Sequence, residues 1–423
     1  MMQLEKHVFE CFEEDIRCSV DPGTITTALF KQGDIDQTLF DDIHAQIREG
    51  KNRDEIWKIL FLQISSCCSF ANVWKALHSS GYEYISIKLL LTYWQRKFQS
   101  GPAQGPSNTE GADKDYFLRL KKCFHDQAIK EPHKFLQERS DKFKKKYESA
   151  DSDKDRKSHA DRYADCLCIL IDTQAMAFTE QLPSHDMFDR LKSVIPATSN
   201  PLVIESAYYS RLAIAYGMVG KFAEGREFMT QAQMAAFQGE QNAQYVYNML
   251  YIHIHFICME VDTPTSDDIN IILDLTKRFL QSLSIHDEKA LFWRKMTVLR
   301  ITCFLIGISH KGVINKAHRV EKKHVSEAKH YLAIIDENWE GIEDIRKLFY
   351  YVCKARIQEL ELQFVSDECD EGDIKPKAVD CLYAAVLQLD KTIAEDPEGN
   401  FRETPLASKY SRWLHEVIQK ARE

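Results

Sequence analysis

Apolar residues recur at helical spacing along almost the whole chain, and the polar breaks between the runs mark where helices begin and end. Leu4, Val8, Phe9, Phe12 and Ile16 trace the first stripe. Asp21-Pro22 punctuates it, and Pro22 suits the first turn of a second helix carrying Ile25, Leu29 and Phe30, which Gly33 ends. Asp36 can cap a third, with Leu39, Ile43 and Ile47, stopped by Gly50. Asn52 opens a fourth, with Ile56, Leu60 and Ile64; Ser69 opens a fifth, with Val73, Trp74 and Leu77, ended by Gly81. A sixth runs from about Glu83 to Phe98 with Ile87, Leu90, Leu91 and Trp94. Six helices joined by short turns predict one bundle over 1–99. Trp57 and Trp94 share helical spacing with other apolar residues and are expected in its core.

From Ser100 to Ala112 the composition changes to Gly, Pro, Ser and Asn with no large apolar side chain, a stretch expected to act as a flexible linker over 100–112. Beyond it, 113–423 reads as a second, longer run of helices. The pattern predicts them near 113–130 and 132–149. A strong stripe starting at Ala160 (Tyr163, Leu167, Leu170, Ile171, Phe178) predicts the next. Others are expected at 183–195, 201–219, 222–238, 243–261, 267–284, 288–309, 322–338, 342–365, 375–395 and 407–421. Paired helices repeating in this way suggest stacked helical hairpins. One hairpin is legible in detail. Tyr209, Leu212, Ala213, Tyr216, Gly220, Phe222 and Ala232 alternate aromatic and small residues at a spacing that resembles a tetratricopeptide (TPR) motif. Gly225 and Met229 depart from that motif's usual alanine and aromatic, and Ala328, Leu332 and Ile335 match more loosely. The expected fold class is therefore all-α: a six-helix bundle followed by a TPR-like repeat region.

Composition fits this reading. Only 16 glycines and 11 prolines occur in 423 residues, too few for many short strands and tight turns. A net charge of −9 gives no overall basic field to draw nucleic acid or an anionic membrane. The N-terminus is polar, without the apolar stretch of a signal peptide, and no apolar run reaches membrane-spanning length, so a cytoplasmic chain is expected. Cys11, Cys18, Cys166, Cys168, Cys258, Cys303 and Cys353 sit inside apolar helical patterns and read as buried free thiols.

Signs of bond chemistry are missing. His253-x-His255 and Cys166-x-Cys168 place their side chains on different helix faces, which rules out chelation of one metal. Cys67-Cys68 lacks a second pair to complete a zinc site. Asp367–Asp373 lacks the alternate-position ligands of a calcium loop. Neither a nucleophile elbow, a zincin motif nor a phosphate-binding loop occurs. No metal, cofactor or catalytic residue is expected. The run Lys142-Phe143-Lys144-Lys145-Lys146-Tyr147 could contact phosphates, but a solvated helix face is the expected reading.

Three segments of the first hundred residues carry a resemblance. Phe12-Glu13-Glu14-Asp15-Ile16-Arg17 with Val20-Asp21-Pro22 resembles the start of the CARDs of cytosolic viral-RNA-sensing helicases. Gly50-Lys51-Asn52-Arg53-Asp54-Glu55-Ile56-Trp57 resembles a helix junction in the CARD of the mitochondrial antiviral adaptor. Phe70-Ala71-Asn72-Val73-Trp74-Lys75-Ala76-Leu77 through Gly81-Tyr82 resembles a helix signature of both. The helicase motifs themselves are absent. The resemblance implies a death-fold module that binds other CARDs through mixed charge around an apolar patch. Acidic candidates are Glu13, Glu14, Asp15, Asp34, Asp41 and Asp42; basic candidates are Lys51, Arg53, Lys58, Arg96 and Lys97. It implies a non-enzymatic adaptor in innate immunity or cell death. Its expected partners are a CARD-bearing receptor, adaptor or caspase, further copies of itself, and a second protein on the repeats. The alternative is RNA binding, by architectural resemblance to interferon-induced TPR-like proteins that enclose RNA ends.

Overall fold

Short polar side chains start the N-terminal helices. Asp21, Asp36, Asn52 and Ser69 each accept a hydrogen bond from a backbone N–H in the first turn they cap. The resulting elements are α1 (Gln3–Cys11), α2 (Glu13–Ser19), α3 (Pro22–Gln32), α4 (Gln37–Arg48), α5 (Arg53–Cys67), α6 (Phe70–Ser79) and α7 (Glu83–Ser100). This computed structural model describes residues 3–100, 116–125, 132–176, 185–238, 243–261, 263–283, 288–309, 314–315, 317–336 and 344–365, with short helical pieces between 383 and 419. Of the helix expected at 375–395, residues 383–384, 386–387 and 390–391 are described and are helical, while the acidic Asp367–Asp373 stretch and most of the linker lie outside the described residues. Among those residues the fold is all-α, its one β feature an isolated bridge between Ile308 and Ile314.

The chain divides into two compact units: 1–108 with 274–284, and 109–273 with 285–423. Residues 274–284 thus group with the N-terminal unit, which sequence order did not suggest. Within that unit the Tyr84 hydroxyl donates to Asp274 Oδ2 at 2.8 Å.

The first helix expected of the sequence is two. At Phe12 the backbone leaves helical geometry (φ −107°, ψ 8°), and its N–H closes a tighter turn onto the Phe9 carbonyl at 3.0 Å. The bend lets Phe9, Phe12, Ile16 and Val20 all face inward. Cys11 and Cys18 are exposed, contrary to the reading of buried thiols, because these four neighbours take the inward positions. Cys166, Cys168, Cys258, Cys303 and Cys353 are buried. Trp57, Trp74 and Trp94 are fully buried. The Trp57 indole donates to the Val20 carbonyl at 3.2 Å and that of Trp74 to the Ser86 carbonyl at 2.9 Å. Two of the largest apolar bodies in the bundle thereby also satisfy backbone acceptors.

The remaining helices are α8 (Tyr116–His125), α9 (Pro132–Glu148), α10 (Asp153–Met176), α11 (His185–Val194), α12 (Pro201–Met218), α13 (Phe222–Phe237), α14 (Ala243–Glu260), α15 (Ser266–Ser282), α16 (Glu288–Leu305), α17 (Lys322–Asp336) and α18 (Asp344–Val365). In the second unit, helix α12 packs along α13 as an antiparallel hairpin. Gly220 turns it at φ 79°, a conformation that costs a residue with a Cβ, and the Lys221 N–H closes onto the Tyr216 carbonyl at 2.9 Å. Ala213 and Ala232 are fully buried where the helices touch. Tyr209, Leu212, Tyr216 and Phe222 are half-buried. Phe228 stands between the Tyr209 and Tyr216 rings, with centroids at 6.3 and 5.0 Å.

Helix α14 is buried almost all round, from Gln244 to Met259. Its Phe256 ring explains Gly225: a Cβ there would lie 2.7 Å from the ring and 3.1 Å from the Ala213 carbonyl oxygen. A hairpin with no side chain at that point lets α14 seat an aromatic against it.

Polar groups pin these helices together. Asp172 on α10 accepts from Lys121 Nζ at 2.5 Å and from Arg211 Nη2 at 2.9 Å. Arg211 also donates to the carbonyls of Cys168 and Ala207 and to Asn248 Oδ1. Burial alone would raise the pKa of Asp172; Arg211 and Lys121 outweigh it and hold the carboxyl below its ordinary value. Asp165, about two turns earlier, accepts a hydrogen bond from the Tyr245 hydroxyl. Burial raises its carboxyl to about 7, with that hydrogen bond and Arg162 opposing.

Two outcomes follow. Gly225→Ala, which must displace Phe256, is expected to cost about 1–3 kcal/mol in urea unfolding, and less in a Phe256→Leu background. Asp165 keeps its proton in the folded chain up to about pH 7 but loses it near pH ~3.9 when unfolded, so its contribution to stability falls as pH rises between those values. Relative to the wild type, Asp165→Asn should therefore gain stability steadily across that window. Parallel stability–pH curves for the two proteins would refute this.

Candidate interaction surface

The first turn of α2 is entirely acidic, with Glu13 half-buried and Glu14 and Asp15 exposed. Negative charge there suits the positive end of the helix. Arg17, one turn on, reaches Glu13 at 3.9 Å and Asp54 of α5 at 3.6 Å. The acidic end of α2 and the start of α5 are therefore neighbours, and their charges interleave. On α5 the outer face carries Lys58 and, one turn later, Leu62, which is 74% exposed. Leu62 is the most exposed large apolar side chain described. Lys51 is exposed in the turn before α5.

Several candidates have a job inside the bundle. Arg53 Nη2 donates to the Val20 carbonyl at 2.6 Å, capping the end of α2 alongside the Trp57 indole. Asp34 is half-buried and accepts from Asn72 Nδ2 at 2.6 Å, which fastens the α3–α4 turn to α6. Arg96 donates to Cys11 Sγ at 3.5 Å. Lys97 Nζ sits over the Trp94 ring, 4.8 Å from its centroid, so part of its length packs rather than projects. Asp41 and Asp42 lie on α4, each accepting from a glutamine four residues away. Beside them Phe30 and Phe40 stack, half-exposed, with centroids at 4.5 Å.

The structure also gathers residues that sequence inspection passes over. Between α3, α4 and α6 lies a groove of about 820 Å³ whose walls include Thr24, Thr27, Lys31, His44, Lys75 and Ser79. Lys31 and Lys75 lie far apart in the chain, and only the packing of α3 on α6 brings them to one opening. No periodicity or motif signals such a meeting.

No family model, curated protein or solved structure matches the chain.

In the second unit the lysine run of α9 divides by face. Phe143 turns inward to Tyr116 and His159, while Lys142, Lys145 and Lys146 line the outer side. His253 is buried against Gln233. Among the described residues, no cluster of three or more His, Cys, Asp or Glu is placed to hold a metal ion, and no helix is long and apolar enough to cross a membrane.

The two kinds of basic residue on the α2–α5 edge should separate by measurement. Arg53→Ala is expected to lower stability in urea by about 1 kcal/mol, since it strips a carbonyl of its charged donor. Lys58→Ala should leave the unfolding midpoint unchanged. Equal midpoints for both variants would remove Arg53's capping role.

Proposed function

We propose that the chain is a non-enzymatic assembly protein whose N-terminal unit is a CARD-like death-fold module. It would join a second CARD-bearing protein, or further copies of itself, through the α2–α5 edge. The second unit, read as TPR-like hairpins, would hold a different protein partner. The observation that carries this reading is the composition of that edge. Exposed acidic side chains (Glu14, Asp15) open one helix, while an exposed lysine and leucine (Lys58, Leu62) occupy its neighbour. Acidic and basic side chains beside an apolar spot on one edge favour a two-fold contact between copies, in which the acidic start of each α2 faces the lysine of the other's α5.

Charge reversal tests it with the full chain. Glu14→Lys and Lys58→Glu should each abolish concentration-dependent self-association in sedimentation velocity, or capture of a CARD partner. An equimolar mixture of the two variants should regain association, because the lysine introduced on one copy then meets the glutamate introduced on the other. Failure of the mixture to associate, with the wild type self-associating normally, would discard this pairing.

A further inference from the structure

A small pocket in the second unit brings together Cys258 of α14, Arg300 and Phe304 of α16, and Ser309, Asn315 and His318 of the loop that follows. The described parts of this loop are held by backbone contacts. Gly307 turns at φ 73°, the Ile308 N–H closes onto the Cys303 carbonyl at 2.8 Å, and Ile308 bridges Ile314. The Asn315 side chain accepts from the Ala317 N–H at 3.0 Å.

Three polar atoms at this pocket are buried without a hydrogen-bond partner among the described residues: Arg300 Nε, Ser309 Oγ and His318 Nε2. Buried polar groups are nearly always paired, so three orphans around one opening point to a ligand. His318 is 8% exposed, and its ring packs edge-on to Phe304 at 5.7 Å. Among the described residues no carboxylate pairs with Arg300. Burial opposes its charge, but Tyr251, which it also hydrogen-bonds, Cys303 and Cys258 outweigh that and hold the guanidinium above its ordinary value. A half-buried guanidinium whose Nε is buried, with no carboxylate beside it, favours an anion there. The surroundings are positive as well: burial, then His324 and Arg356, hold His318 down to about 4, although Arg356 is itself paired with Glu359. Cys258 is no counter-ion, since burial raises its thiol to about 12.

We infer that this pocket binds a small inorganic anion through Arg300 Nε, Ser309 Oγ and His318 Nε2. Its volume of about 20 Å³ matches one water-sized body or a little more. A halide enters whole, and an oxyanion enters by one edge. Either would supply the missing charge and tie α14 and α16 to the loop.

The test is thermal unfolding of the full chain at fixed ionic strength in chloride, in phosphate and in gluconate, whose bulk keeps it out. Chloride or phosphate should raise the midpoint by about 3 °C over gluconate once the anion is at roughly ten times its Kd. A gain in chloride, with an anomalous bromide peak between Arg300 and His318 in crystals, names a halide; a gain in phosphate alone names an oxyanion. Arg300→Gln and the milder Ser309→Ala should each lose the gain. Identical midpoints in all three salts, or a gain that survives in both variants, would overturn the inference.

Discussion

One carboxylate sets the terms for the second unit. Asp172 lies in a helical interior where an unpaired charge is untenable, and Lys121 and Arg211 answer it from two other helices. Arg211 then directs its remaining donors to carbonyls of α10 and α12 and to Asn248 of α14. Apolar packing alone would let such helices slide or rotate, since methylene groups have no direction. A fork of directed donors permits one register. Four helices, α8, α10, α12 and α14, are fixed by a single cluster, and the aromatic and small-residue contacts around it follow.

Much of this architecture was legible in the chain itself. The caps at Asp36, Asn52 and Ser69 and the turn at Gly220 are local devices, readable because their physics spans only a few residues. The break at Phe12 was not: its cause is the need of four inward side chains to meet a core built by distant helices. Lys121 and Arg211 were illegible for the opposite reason. Charged residues ordinarily mark a wet face, and nothing nearby in sequence announces a buried partner that lies several helical turns away on another element.

The charged surface of the first unit divides along the same line. Residue type and helix position located Glu14, Asp15, Lys51 and Lys58 on the outside. Arg53 and Asp34 look identical to them in sequence, yet Arg53 satisfies a backbone carbonyl and Asp34 a side-chain amide within the bundle. The difference is three-dimensional: an end of α2 and a start of α6 happen to fall within reach. Leu62 shows the reverse, an apolar residue on the outer face of a helix whose stripe is otherwise inward.

The tryptophans have an optical consequence. Half of the chain's six sit in the first unit, and all three of those are fully buried, two with their indole N–H bound to carbonyls. Indole in dry surroundings emits at shorter wavelength than indole in water. The N-terminal bundle therefore carries an intrinsic fluorophore set concentrated in its own core, and its opening registers as a colour change without any label attached.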